Sequence, residues 1–325
     1  MKKMYFITNL HSGKSAMRSK LPAVLNIFTA AGYQVTVRPT QGRRDATAAA
    51  EFACLSGEYD LIVCSGGDGT LNEVVQGLMY SRNPVPVGYI PCGSTNDFGR
   101  SLNIPGDIEA AAKQITEGHP YHCDIGLFNN RNFLYVAAFG AFIETVYDTP
   151  QNVKNVIGHL AYVLHAMTLI PSIHAYHMKV EFDGNTVEDD FLYGMVSNTA
   201  SVAGMLKLKN FRLDDGMFEV MLIRKPSNVI QLSKIIAQIL DINEEIDKKY
   251  VKYFRAKKIH FVSNEEVEWT LDGEFGGAFC ETEIGICNRA VTFWVGSDAP
   301  HNDTEQQELL LPEESEASGG EAAGG

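Results

Sequence analysis

The sequence predicts an α/β unit with a mostly parallel, three-layer sheet, followed by a mainly β unit of sandwich type. Three observations carry that expectation. Up to about residue 120, short apolar runs alternate with segments of helical period, the pattern of consecutive βα units. From about residue 122, short alternating runs take over, several separated by Asp-Gly pairs, as in antiparallel sheets. Between an apolar run and a helical pattern lies Gly66-Gly67-Asp68-Gly69-Thr70, a strand, a glycine turn and a helix in succession.

Residues 3–8 read as the first strand and 15–31 as a helix closed by Gly32. Residues 33–37 read as a strand, 44–56 as a helix and 59–65 as a strand. The next helix is marked at Thr70, which has capping-box spacing to Glu73. Val85 to Ile90 is a further strand, and a helix opens near 95, where Ser94 and Asp97 have similar spacing. Beyond these, strands are expected at 132–138, 176–183, 191–197, 217–223, 258–263, 266–271 and 290–295. Turns are expected at Asp183-Gly184, Asp215-Gly216 and Asp272-Gly273. Helices interrupt the strands at 151–170 and from Ser227, where Val229, Ile230, Leu232, Ile235, Ile236, Ile239 and Leu240 recur with helical period. The expected division is 1–125 for the α/β unit, 126–300 for the β unit and 301–325 for a disordered tail.

A chain of 325 residues is long enough for two such units. The formal net charge is −13, of which the tail supplies seven through Asp303, Glu305, Glu308, Glu313, Glu314, Glu316 and Glu321. No basic stripe suggests a nucleic-acid footprint. Six cysteines without a C-x-x-C pair read as reduced thiols in a cytosolic protein. His119/His122 and His174/His177 lack the i,i+4 spacing of a helical zinc site. The apolar run at the N-terminus is too short for a signal peptide. Asn155 to Met178 lacks Asp, Glu, Lys and Arg, but Gly158, Pro171 and four histidines fit an amphipathic helix better than a membrane span.

Three glycines let a backbone approach a phosphate and turn its N–H groups toward it, and the following helix adds its positive end. Asp68 among them would repel a phosphate unless a cation lies between, and Mg²⁺ on a nucleotide triphosphate resolves the conflict. The plain alternative is a glycine-rich βα turn with an exposed Asp. A first loop, Asn9 to Ser15, ends in Gly13-Lys14-Ser15, but the first glycine of a P-loop would fall at Thr8, so that motif fails. A third loop runs from Pro91 to Arg100, and alone it reads as a capped helix start.

Together these segments resemble the diacylglycerol kinase catalytic family, and within it the soluble bacterial members. The resemblance rests on Asn9…Ser12-Gly13-Lys14, on Gly66 to Thr70, and on Pro91 to Arg100 against the pattern P-x-G-T-x-N-D-x-A-R. It continues in Leu213-Asp214-Asp215-Gly216-Met217-Phe218 and Leu271-Asp272-Gly273-Glu274, and spans about residues 3–295. Leu10, Ser94 and Gly99 stand where the family often has Pro, Thr and Ala.

The resemblance implies a fold like that of NAD kinases, with ATP and Mg²⁺ in a cleft between the units. It implies ATP contacts at Asn9, Ser12, Gly13, Lys14, Thr40, Gly66, Gly67, Asp68, Gly69, Thr70, Asn72, Glu73, Ser94 and Asp97. Asp68 would carry catalytic Mg²⁺, and Asp97 would hold Lys14. Asp272 would take the proton of the lipid hydroxyl, with Glu274 as rival base on the same side of a strand. A structural Mg²⁺ would sit on Asp215 and the carbonyls of Arg212 and Met217. The implied reaction converts diacylglycerol and ATP to phosphatidate and ADP, at the inner face of a membrane that a cytoplasmic enzyme touches peripherally. A homodimer is compatible with the resemblance. The 151–170 helix would face either the bilayer or the core. Other lipid alcohols (sphingoid bases, monoacylglycerol, ceramide, a polyprenol) stand as alternative acceptors. NAD kinase is a weaker alternative, because its Gly-Ser-Thr-Ala-Tyr segment is absent. A non-catalytic nucleotide-binding module would have no use for Asp68, Asp272 and Glu274.

Overall fold

Four strands form the parallel part of the sheet, in the order β2 (Tyr33–Pro39), β1 (Lys2–Thr8), β3 (Leu61–Gly66), β4 (Val87–Pro91). The computed structural model that shows this describes residues 1–13, 15–140, 174–199, 201–202, 206–207, 212–227, 231, 235 and 248–297. Lys14, the expected helix at 151–170, most of the one expected from Ser227 and the tail from 301 lie outside the described residues. β3 is buried along its whole length, as a strand covered on both faces must be. α1 (Ala16–Ala30) packs with α5 (Ile108–Glu117), and α2 (Asp45–Ser56) with α3 (Asp68–Met79). The strand order reverses after β2, so right-handed crossovers send α2 and α3 to the opposite face. Ala46, Ala49, Ala50 and Ala53 give α2 a flat inner face, and a Cβ on Gly77 of α3 would lie 2.4 Å from the Thr47 carbonyl oxygen.

The rest pairs antiparallel, apart from the end of the last of these strands: β5 (His119–Phe128), β6 (Arg131–Phe133), β7 (Val136–Gly140), β8 (Tyr176–Phe182), β9 (Asn185–Ser197), β12 (Phe218–Arg224), β13 (Val251–Ala256), β14 (Lys258–Leu271) and β15 (Glu274–Val295). Two short strands, β10 (Ser201–Val202) and β11 (Leu206–Lys207), pair separately. β9 and β14 each give one half of their length to β8 and the other half to β7, so these four strands close on themselves. Inside, Trp269 meets the rings of Phe128, Phe139 and Phe261 at 4.8–5.1 Å. β15 then leaves this unit. Its Phe293 and Trp294 pair parallel with Val87 and Gly88 of β4, and β5 lines its other edge. Among the described residues, thirteen strands thus form one continuous sheet.

Several expectations change in detail. The strand expected at 132–138 breaks at Leu134 and Tyr135 into β6 and β7. The runs 258–263 and 266–271 are one strand, β14, bent where its register on β15 shifts between Val262 and Val267. Asp183-Gly184 and Asp272-Gly273 make two-residue hairpin turns with positive φ at both positions, whereas Asp215-Gly216 leads into β12 without closing a hairpin. α5 was not anticipated, although Asp107 caps it by accepting the Ala110 N–H at 2.9 Å. Neither capping box forms. α3 starts after Gly67 without a side-chain cap, and α4 (Asp97–Ser101) starts after Asn96, whose φ is +52°.

Trp269 is 1% exposed, and its replacement removes the centre of the second core. Trp269→Ala is expected to lower the unfolding free energy by about 3–5 kcal/mol. A urea titration followed by the fluorescence of the remaining Trp294 measures it.

Candidate active site

β1, β3 and β4 end side by side, and their carboxyl ends bring the three glycine-bearing loops together, where parallel sheets bind ligands. Asn9 N–H donates to the Ser65 carbonyl at 2.8 Å, and Cys92 N–H to the Gly66 carbonyl at 2.7 Å. Asn9 Nδ2 donates to Thr70 Oγ1 at 3.2 Å. Thr40 N–H donates to the Thr8 carbonyl at 3.0 Å, which sets Thr40 beside the first loop. Ser12 closes a turn on Asn9 at 3.2 Å, and Ser94 is exposed in the third loop. No side chain separates these backbones. A Cβ on Gly13 would lie 2.2 Å from the Cys92 carbonyl oxygen, and one on Gly93 would lie 2.7 Å from Gly67 Cα. A Cβ on Gly66 would strike Thr70, while Gly69 is open. The sequence did not mark the residues that hold the third loop. Asn96 accepts the Gly93 N–H and donates to the Gly93 carbonyl, both at 2.9 Å, and Tyr89 OH donates to the Gly66 carbonyl at 3.1 Å.

Asp68 opens α3 at the centre of these loops. Burial raises its carboxyl above the ordinary value, and the N–H groups of Asn96, Asp97 and Phe98 oppose that shift. Its Oδ1 is buried without a hydrogen-bond partner. Asp97, 3% exposed, begins α4 beneath the third loop. Glu73 turns away from the loops. It accepts the Arg44 N–H at 2.8 Å and the Ala46 N–H at 3.2 Å, so its carboxylate caps α2.

The β unit contributes the turn between β14 and β15. Asp272 and Glu274 do not share a strand face: Asp272 is in the turn at φ +51° and 9% exposed, while Glu274 begins β15. Asp272 Oδ2 accepts from Leu134 N–H at 2.6 Å and Asn72 Nδ2 at 2.7 Å. Oδ1 accepts from Tyr135 N–H at 2.9 Å and Val136 N–H at 3.0 Å. Burial nevertheless pushes the Asp272 carboxyl up to about 6, the three amides act against it, and the charge of Asp68 adds to it. Asn72 therefore faces the carboxylate of the other unit. Glu274 is exposed and pairs with Arg43 of the first unit at 2.8 Å.

The Asp215 turn is built differently from the expected metal site. Asp215 Oδ2 is held by Arg255, and Oδ1 accepts the Met217 N–H at 3.0 Å. Arg255 also reaches the buried Glu219 at 3.2 Å, and burial pushes Glu219 up to about 7. Arg212 pairs with Asp214 at 3.1 Å. Asp124, a charged residue inside a buried strand, anchors the turn by accepting the N–H of Gly216 at 2.7 Å and of Arg289 at 2.6 Å. The negative charge at Asp215 is thus met by a guanidinium that it shares with Glu219.

Residues 3–128 match the model of the diacylglycerol kinase catalytic domain, and residues 142–291 that of the YegS C-terminal NAD kinase beta sandwich-like domain. The chain is 38% identical over 310 residues to diacylglycerol kinases of Staphylococcus aureus strains JH9 and NCTC 8325, across 95% of this chain and 96% of each relative. A crystal structure of a diacylglycerol kinase from Bacillus anthracis str. Sterne superposes with a TM-score of 0.73 at 23% identity, over 92% of this chain and 98% of that one, a likeness of fold. The protein is thus a kinase, a phosphotransferase built on two joined units. The chain belongs to the diacylglycerol kinase family.

Glu73→Ala removes both acceptors at the start of α2 and is expected to cost about 0.5–2 kcal/mol of stability. Chemical denaturation checks it, and unchanged stability would show that α2 starts without this cap. The Asp272 carboxyl is raised in the folded state from 3.8 to about 6, so its protonated form favours folding. That contribution is full below about pH 4 and is lost as pH rises through about 6; it amounts to on the order of 3 kcal/mol. Asp272→Asn cannot titrate. Its stability relative to wild type should therefore rise between pH 4 and 6 and level off above, as denaturation at stepped pH would reveal.

Proposed function

We propose that this protein transfers the γ-phosphoryl group of ATP to the free hydroxyl of diacylglycerol, giving phosphatidate and ADP. One observation supports this above the others: the bare-backbone loops around Gly13, Gly67 and Gly93 face a carboxylate turn supplied by the second unit. The loop residues Asn9, Ser12, Gly13, Lys14, Thr40, Gly66 to Thr70 and Ser94 would receive the nucleotide, with amide N–H groups toward its phosphates. Bound ATP supplies the phosphoryl group, and Mg²⁺ neutralises the charge of its phosphates. Asp68 fits a cation there, because its buried Oδ1 lacks a partner and burial alone disfavours its charge. The Asp215 turn, where Arg255 pairs with both Asp215 and Glu219, is assigned no step.

The alcohol proton needs an acceptor on the side of the β unit. A carboxylate offers about four acceptor directions. Asp272 uses four of them on its neighbours, so we assign proton acceptance to Glu274 and orientation of the turn to Asp272. The exposed Arg43–Glu274 pair holds Glu274 only loosely. Phe275, 63% exposed directly after Glu274, sets an apolar ring at the rim where the acyl chains of a lipid would lie. Access from a membrane surface follows from the lipid substrate. No described helix is long and apolar enough to cross a membrane.

Labelled ATP offered with diacylglycerol, monoacylglycerol, sphingosine, ceramide and undecaprenol in mixed micelles tests the reading. Phosphatidate should be the dominant product, and Glu274→Gln should lower kcat by about 10²–10⁴-fold. Faster phosphorylation of another lipid alcohol would replace the acceptor. ADP release on none of the lipids would remove the catalytic reading.

A further inference from the structure

On α3, Asp68, Asn72 and Gln76 are spaced four residues apart, so they lie along one face of the helix. Asp68 belongs to the phosphate loop and Asn72 reaches Asp272. Gln76 reaches neither a loop nor the carboxylate turn. Its Nε2 donates to Asn72 Oδ1 at 3.1 Å and to the Asn132 carbonyl at 2.9 Å. The chemistry sets these orientations. An ionised carboxylate only accepts, so Asn72 must turn its Nδ2 toward Asp272, and its Oδ1 then faces the other way and needs a donor. Gln76 is that donor, and its second hydrogen bond ties it to β6, two residues before Leu134. Leu134 N–H in turn donates to Asp272 at 2.6 Å. The path Gln76, Asn72, Asp272, Leu134, Asn132 returns to Gln76, a closed ring that joins α3 to the β6–β7 junction and the β14–β15 turn.

We propose that Asn72 and Gln76 are positioning residues that lock the Asp272–Glu274 turn onto the helix of the phosphate loop, so that the proton acceptor and the phosphoryl donor stay in register across the two units. This rests on the kinase reading above. Leu134 and Asn132 take part through their backbone and Asp272 is pinned by three backbone amides, which leaves Asn72 and Gln76 as the side chains freest to swing out. Losing the Gln76 donor frees the Asn72 amide to rotate, and the turn then keeps three backbone amides but loses its tie to α3. A small misplacement of reacting groups costs rate more than binding.

The test uses the full chain with Gln76→Met, Asn72→Ala and the double variant. Gln76→Met keeps the length of the side chain and removes both donors. It should lower kcat for diacylglycerol by about 10–100-fold, with the KM for ATP changed less than about threefold. Because both residues act through one path, the double variant should be no slower than Asn72→Ala. Multiplicative losses, or a raised KM for ATP at unchanged kcat, would overturn the proposal. A second readout needs neither ATP nor lipid: amide hydrogen exchange should accelerate at residues 132–136 and 270–276 in Gln76→Met. Unchanged exchange there would refute the ring whatever the activity. Inactive wild type with faster exchange in the variant would instead retain the lock between the units and discard the kinase reading.

Discussion

Four donors converge on the carboxylate of Asp272, and most of what distinguishes this molecule depends on that convergence. Three are consecutive backbone amides, which is why a run that looks like one strand is broken into β6 and β7: the chain at Leu134 to Val136 turns its N–H groups inward to the acid instead of along the sheet. The acid can stand there because Asp272 takes a positive φ in a two-residue turn, a conformation an Asp-Gly pair adopts readily. The fourth donor comes from α3, so the same carboxylate links the helix of the glycine loop to the β unit. A buried charge without such partners would be strongly unfavourable, and burial holds the Asp272 carboxyl above its ordinary value even with three amides acting against it.

At the carboxyl ends of the parallel strands, structure is set by what is missing. The loops after β1, β3 and β4 meet through glycines, and any side chain at Gly13 or Gly93 would push a neighbouring backbone away. The surface left behind is main chain. Of the two carboxylates nearby, Glu73 is drawn off to cap α2, and Asp68 stays among the loops over the amides that open α4.

The sequence discloses what is local. Alternating βα periodicity, the glycine turn after β3 and the Asp-Gly hairpins are short-range signals, and the two-part architecture follows from them. The nearness of the three loops also follows, because every parallel strand delivers its carboxyl end to one edge. What escapes is set by distant partners. Glu73 carries the local pattern of a capping box, yet its acceptors serve amides 27 and 29 residues away. Nothing near Asp272 in the chain tells that its partners are Asn72 and residues 134–136, or that Glu274, two positions on, would face away from it. The bend in β14 likewise goes with its pairing to β8 on one half and β7 on the other. Arg255 beside Asp215 could have been found only by knowing that β13 pairs with β12. α5 is the exception, since Asp107 before an apolar period was a local start signal.

The last strand has a consequence for how the chain is made. β15 completes the first sheet by lying between β4 and β5, and Val291, Phe293 and Val295 belong to the first core. During synthesis the edge of β4 leaves the ribosome about 200 residues before its partner. At ~5–20 residues per second that is a delay of roughly 10–40 s. Throughout it the nascent first unit carries an open, apolar strand edge, the kind of surface that recruits other chains. Assembly of the three loops and full closure of the sheet are thereby separated in time, and the edge of β4 stays open until β15 arrives.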